Sequence, residues 1–343
     1  MADLDTTSDA RRRQRLLAAK LTALVDGRVG GGQTDGGTSE PAAWPGGAAL
    51  VREGVAWVLA DEHPERALGP ALAWARQQGA SAVNVVAESG TGVLARRAAC
   101  FADPPTVWRI EGRDLVPAVA ASYPESSDVA PEHEQFAALI VAAGAVVNRE
   151  FGVLTGEVAG LEVCRAVTDP HTGVQRLEVG VGAHDREAFQ MIHGDVPTED
   201  SLARIVEEVA SYRARGAAPH PLNRLGAERR LRSALQAEPG LIGADHVRAV
   251  DPPVVRINLK DVVPCVAMAK RSDGSEFVVV CSVGVDLDVV PFAADARAAL
   301  GHDDGELAIV VPARDSLGVT RALAAALIAP ANVQGVDWPG GSV

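Results

Sequence analysis

The run "AALVREGVAWVLAD" (48–61) decides how the chain must fold. Two short apolar segments flank Glu53-Gly54, a dipeptide suited to a tight reversal, so they read as an antiparallel β-hairpin. Next comes "LGPALAWARQQG" (68–79), with apolar residues at helical spacing, and then the strand "AVNVVAE" (82–88). A strand that reaches its neighbour through a helix pairs parallel to it, whereas a hairpin pairs antiparallel. The segment therefore predicts a mixed sheet with helices. A further helix, "TGVLARRAACF" (91–101), and a strand, "TVWRIEG" (106–112), extend it. The unbroken apolar run "VNVVA" (83–87) says that its strand is covered on both faces.

The order recurs toward the C-terminus. "PCVAMAKRSDGSEFVVVC" (264–281) turns at Asp273-Gly274, and "PFAADARAALG" (291–301), "ELAIVVPAR" (306–314), "GVTRALAAALIAP" (318–330) and "NVQGVDW" (332–338) follow. Gly79 to Val107 aligns without gaps on Gly305 to Val333, matching Gly92 with Gly318, Val93 with Val319 and Pro104 with Pro330. So few identities carry little weight alone; the shared element order makes the case for an internal repeat. The expected fold class is α/β, with two related mixed-sheet units (β-hairpin, α, β, α, β) flanking a central hairpin-plus-helices unit.

In the central third, "EQFAALIVAAG" (134–144) reads as a helix, and "GVLTGEVAGLEVCRAV" (152–167) and "VQRLEVGV" (174–181) as a hairpin across "DPHTG" (169–173). Two helices follow. In the second, "SLARIVEEVASYR" (201–213), Leu202, Ile205, Val206 and Val209 form one apolar stripe that demands a packing partner. Three stretches read as linkers: the Gly-rich residues 27–47, "ASYPESSDVAPE" (121–132) and the Pro-containing "AVDPPVVR" (249–256). They divide the chain into an N-terminal helix with a Gly-rich disordered linker (1–45), a first α/β unit (46–120), a central unit (132–235) and a second α/β unit (255–340).

A chain of 343 residues with 47% apolar composition can build substantial cores. Its formal net charge of −13 disfavours passive attraction to phosphate backbones or anionic lipid, so any nucleic-acid binding must be local. The dense basic run Arg11, Arg12, Arg13 and Arg15 opens a helix bearing Leu17, Leu21 and Leu24 and reads as a solvated helix start, the alternative being a nucleic-acid-binding arm. Lys20 interrupts the apolar run behind it and no small-residue cleavage site follows, so it does not read as an export signal. No stretch reaches the roughly 18 uncharged apolar residues of a membrane span. The expectation is a cytoplasmic protein without membrane contact. Cys100, Cys164, Cys265 and Cys281 lie far apart with no CxxC pair, which suggests reduced core thiols rather than zinc ligands or disulfides.

The densest polar stretch is "LEVGVGAHDREAFQMIHGD" (177–195). If "LEVGV" is a strand, Glu178 points away from the face of Val179 and Val181. Asp185 is then placed to cap the following helix, and Glu187 to favour its dipole. Glu157, Glu178, His184 and Asp185 are the candidate metal ligands, a mixed oxygen-nitrogen set suited to Mn, Mg or Zn. That reading treats Glu157 and Glu178 as cross-strand neighbours. Glu162, an odd number of residues from Glu157, is predicted to face away. The plainer alternative is a structural surface of solvated acids.

Two weaker patterns complete the inventory. In "PHPLNRLGAERRLR" (219–232), a helix beginning at Asn223 or Gly226 sets Arg229 and Arg232 on one side. With His220 and Arg224 they make a candidate surface for an anion or an acidic partner, the alternative being pairing with the chain's own acids. In "ESGTGVLA" (88–95), Gly90 and Gly92 between strand and helix are candidate cofactor-binding residues, with Glu111 spaced for a ribose. Against that, Glu88 would repel a pyrophosphate, and a plain βα turn capped by Ser89 or Thr91 explains the same residues.

The order helix, antiparallel strands, helix, strand resembles the restriction-endonuclease-like PD-(D/E)XK superfamily, in each terminal unit and less fully in the central hairpin. The resemblance implies an acid on one strand, then an acid and a lysine two residues apart on the next, holding a divalent metal that activates water. Here the lysines are Lys20, Lys260 and Lys270, preceded two positions earlier by Ala18, Asn258 and Met268, so no E-x-K or D-x-K exists. The terminal strands "VAWVLA" (55–60) and "FVVVCSV" (277–283) contain no acid. In the central hairpin Glu157 and Glu178 match the acids, but Gly180 stands at the lysine position, leaving Arg176 or His184 as substitutes. P-loop, H-E-x-x-H and G-x-S-x-G motifs are absent. The first expectation is a non-catalytic, nuclease-like binding or scaffold protein with no cofactor, whose partner is a protein or a nucleic acid. The alternatives are a hydrolase or nuclease using Mn or Mg at the central acids, and nucleotide-cofactor binding at Gly90 and Gly92.

Overall fold

The structure, a computed structural model, describes residues 2–29, 41–182, 186, 198–214, 216–218, 220–255 and 263–337. It is a mixed α/β protein with two compact units. One comprises Met1–Ser122, Leu287–Asp295 and Gly318–Ala331; the other comprises Tyr123–Asp286, Ala296–Leu317 and Asn332–Val343.

In the first unit α1 (Ala2–Val29) precedes β1 (Ala42–Trp44), β2 (Gly47–Arg52), β3 (Val55–Ala60), α2 (Leu68–Gln77), β4 (Ala82–Ala87), α3 (Thr91–Ala98), β5 (Thr106–Glu111) and β6 (Asp114–Pro117). The strands lie side by side in sequence order. β2 and β3 form the expected hairpin, with Glu53 and Gly54 at φ 52° and 77°, the doubly left-handed turn that suits strand twist. β3, β4 and β5 run parallel through α2 and α3. Leu21, Leu24 and Val25 of α1 pack on Leu50, Trp57, Leu59, Val86 and Trp108. The alternate strand residues Ala49, Val58 and Val85 are also buried, which is why these strands read as apolar throughout. Each large side chain so buried contributes roughly 2 kcal/mol. Part of the stretch taken for a disordered linker is ordered: β1 pairs with β2 and buries Trp44.

The later segments of this unit approach it closely. A Cβ on Gly69 would lie 2.1 Å from the Leu287 carbonyl oxygen, so only glycine fits there. Phe101 bridges Leu327, with Ala102 N donating to Ala326 O (3.0 Å) and Ile328 N to Cys100 O (2.9 Å).

The second unit holds two sheets. After α4 (Pro131–Glu134) and α5 (Ala137–Ala142), β7 (Val146–Glu150), β8 (Val153–Val158), β9 (Leu161–Thr168) and β10 (Gln175–Val179) form an antiparallel sheet. The stretch expected to be one strand, 152–167, is two: Ala159 and Gly160, at φ 44° and 77°, reverse the chain between β8 and β9. Glu157 is therefore separated from Glu178 by β9 instead of neighbouring it. It also stands directly opposite Glu162. Parity puts residues five apart on opposite faces only within one continuous strand; across a hairpin, opposed residues share a face. α5 and α6 (Thr198–Arg213) cover the apolar face, where Ile140, Leu202, Val206 and Val209 meet Leu154, Cys164, Leu177 and Val179.

The other sheet runs β11 (His246–Ala249), β12 (Cys265–Lys270), β13 (Glu276–Cys281), β14 (Leu307–Pro312) and β15 (Asn332–Val336). β11 to β13 are antiparallel, and β13 to β15 are parallel through α8 (Val289–Ala299) and α9 (Gly318–Ala324). Between the sheets in sequence, α7 (Ala227–Ala237) packs Leu231 and Leu235 against Ala267, Phe277 and Val279.

Candidate functional site

The polar face of the antiparallel sheet is organised by α7. Gly226, at φ 58°, starts the helix, and Arg229 and Arg232, three residues apart, project from one side of it. The turn at Gly160 presses on this helix start so closely that a Cβ there would come within 2.3 Å of the Arg229 carbonyl carbon. Docked in this way, Arg229 pairs with Glu157 and with both Glu150 oxygens (2.7 and 2.8 Å), and Arg232 reaches Glu157 at 3.3 Å. Arg232 is 1% exposed and Glu157 4%. Burial alone would push the Glu157 carboxyl up, but the charges of Arg232 and Arg229 outweigh it and hold the group below its ordinary value. Arg229 and Arg232, expected on a surface for an anion or partner, thus face inward. Burying a guanidinium is costly unless it is well paired and hydrogen-bonded, and Glu157 supplies the opposite charge.

The remaining acids of this face are matched in the same way. Glu162 accepts from Arg165 (2.9 and 3.0 Å) and Arg186 (3.0 Å), and Glu178 from Arg176 (2.9 Å), with Arg186 at 3.6 Å. Asp169 accepts from the backbone of His171 and Thr172 and from Arg176, and these hydrogen bonds hold it well below the usual carboxylate range. Of the predicted metal ligands, Glu157 and Glu178 are on different strands and paired with different arginines. His184 and Asp185, with Glu187, lie outside the described residues. Among the described residues no three His, Cys, Asp or Glu side chains gather as a metal set. A cation at Glu157 would have to displace two guanidinium groups.

His220 stacks on Tyr212 with ring centroids 3.8 Å apart, and its Nδ1 accepts from Leu222 N at 3.3 Å, closing a 3-10 turn. Arg224 is exposed. In the first unit, Gly90 is the left-handed residue before α3, and a Cβ on Gly92 would meet that of Ala121 at 2.9 Å. Ala121 N donates to Gly92 O, so chain packing accounts for the Gly90-x-Gly92 spacing. No side chain caps α3, contrary to the expectation for Ser89 or Thr91.

Sequence reasoning missed a cleft of about 440 Å³ in the second unit, between the loop from Tyr123, the β7–β8 turn and the segment after β11. Asp251 ties its walls together, accepting from Phe151 N (2.8 Å) and Ser126 Oγ (2.5 Å). Phe151, which lines the cleft, occupies the left-handed region at φ 47°, a conformation that costs a bulky residue energy. Two arginines line the site. Arg149 is paired with Glu134 at 2.6 and 2.7 Å, while Arg248 is exposed and meets no acid among the described residues. Tyr123 adds a second ring. The lone signals in sequence were Phe at a hairpin turn and paired prolines after Asp251.

Comparison of the chain with protein-family models, with curated proteins and with solved structures gives no match.

Proposed function

We propose that this chain is a non-catalytic, nuclease-like binding protein whose recognition site is the cleft around Arg248, Phe151 and Tyr123, and that its partner is single-stranded DNA. The observation that carries the reading is a cation that meets no acid among the described residues, Arg248, together with two aromatic residues lining a 440 Å³ cleft. Planar bases stack on such rings while a guanidinium meets the phosphate. The ion pairs of the central acids support the non-catalytic part, because each candidate ligand in view already neutralises an arginine. With a net charge of −13, attraction is confined to the cleft.

Fluorescence anisotropy with a labelled oligonucleotide at low salt tests this. Contact with roughly two phosphates gives a log–log salt slope of about −1.4, and Arg248→Ala weakens binding about tenfold. No binding at any salt removes the DNA reading. Calorimetric titration with Mn²⁺ checks the hydrolase alternative, which gains if heat appears in the wild type and vanishes in Glu178→Ala.

The same reading takes the two mixed sheets as copies of one unit. Cys100, Phe101 and Ala102 correspond to Ala326, Leu327 and Ile328 in the gapless alignment. The reciprocal bonds between these two triplets lie within the first unit.

A further inference from the structure

Cys265 and Cys281 stand directly opposite one another across the β12–β13 hairpin. Opposed residues of an antiparallel pair have Cα atoms about 4.5 or 5.5 Å apart. Both separations fall inside the roughly 4.4–6.8 Å span that a disulfide bridges. Both side chains are buried free thiols. Cys265 Sγ donates to the Glu228 carbonyl, 3.1 Å away in the first turn of α7. Arg229 and Arg232 of that helix line, with Cys265, Glu150 and Pro264, a cavity of about 10 Å³, room for roughly one water-sized molecule. Burial would push the Cys265 thiol up, but a hydrogen bond from Cys281 and the charges of Arg232 and Arg229 bring it below its ordinary value. Cys281 is pushed well above its own, by its bond to Cys265 and by burial. Of the two, Cys265 is thus the sulfur that loses its proton first, giving up its bond to Glu228, while Cys281 holds its own, the division of labour that thiol oxidation needs.

We propose that Cys265 and Cys281 form a redox-modification site that hydrogen peroxide closes into a cross-strand disulfide. The Cys265 thiolate attacks one peroxide oxygen, the O–O bond breaks, and Cys265 becomes a sulfenic acid while hydroxide leaves and is protonated to water. The Cys281 sulfur then attacks the Cys265 sulfur, the S–O bond breaks, and the departing hydroxide takes the Cys281 proton as a second water. The two thiols lose two electrons and two protons, and the peroxide is reduced to two waters.

Cys164 is the internal reference, a thiol on β9 that burial pushes up to about 12. The reduced full chain is exposed to hydrogen peroxide, remaining thiols are alkylated after unfolding, and peptides are mapped by mass spectrometry. A Cys265–Cys281 linked peptide should appear at least about tenfold faster than Cys164 is lost. Cys281→Ser should stop at a Cys265 sulfenic acid captured by a dimedone probe, though the wild-type result stands without the variant. The proposal is overturned if Cys265 and Cys281 remain alkylatable once Cys164 has oxidised, or if wild-type Cys265 proceeds to sulfinic acid with Cys281 still free.

Discussion

In each unit one helix brings a pair of arginines onto a buried acid, and the two pairs are satisfied differently. Arg96 and Arg97 on α3 are adjacent, so their side chains leave the helix about 100° apart. They meet at Asp295 (2.7, 2.9 and 3.3 Å) but find their other partners separately: Arg96 donates to Ala121 O and Ser122 O, and Arg97 to Glu65 O and Asp288. Arg229 and Arg232 on α7 share a face, so both converge on Glu157, with Glu150 helping Arg229 alone. Helical spacing thus decides whether a buried acid is one of many acceptors or a hub.

The comparison is most exposed to changes in the shared acids. Asp295→Asn removes a wholly buried charge from two buried guanidinium groups and should lower unfolding free energy by about 3–5 kcal/mol in denaturant titration. A loss below about 1 kcal/mol would mean that the backbone carbonyls alone suffice. Glu157→Gln should cost somewhat less, about 2–3 kcal/mol, since Arg229 keeps Glu150. Adding Arg232→Met to it should then cost less than the two changes summed, because the second removes the cation that the first strands.

Acid sharpens the contrast further. The Glu157 carboxyl is lowered from its ordinary value of 4.5, so its contribution is complete above that pH and lost as pH falls through the folded value. Wild-type stability should therefore fall more steeply below about pH 4.5 than that of Glu157→Gln. Parallel acid curves would remove Glu157 from the role of hub. The smallest effect concerns the turn that brings the hub to its helix: Ala159→Gly relieves a left-handed alanine and should raise stability by about 0.5–1 kcal/mol.

The mixed sheets were legible because their central strands are apolar on both faces and their hairpin turns carry glycine, as at Gly54 and Gly274. β1, β6 and β11 were not, being edge strands of three or four residues that leave little period to read. The β8–β9 reversal was hidden because alanine stands where asparagine, aspartate or glycine usually marks such a turn. The error spread from there, making Glu157 and Glu178 neighbours and turning Glu162 outward. Helical spacing did show that Arg229 and Arg232 share a side; which acid they meet depends on packing between residues more than 70 apart. The Cys265–Cys281 pairing was within reach, since the two lie equidistant from Asp273 at the turn already identified.

The salt links of α3 also bear on how this protein is made. Asp288 and Asp295 leave the ribosome some 190 residues after the arginines they neutralise. Until then a nascent chain holding α3 has cationic groups with no carboxylate to accept them, so the first unit cannot settle into its final form during most of synthesis. The α3 contacts are complete only once residues 288–295 have been made, and messages cut short before Asp295 should yield polypeptides that chaperones retain or proteases clear.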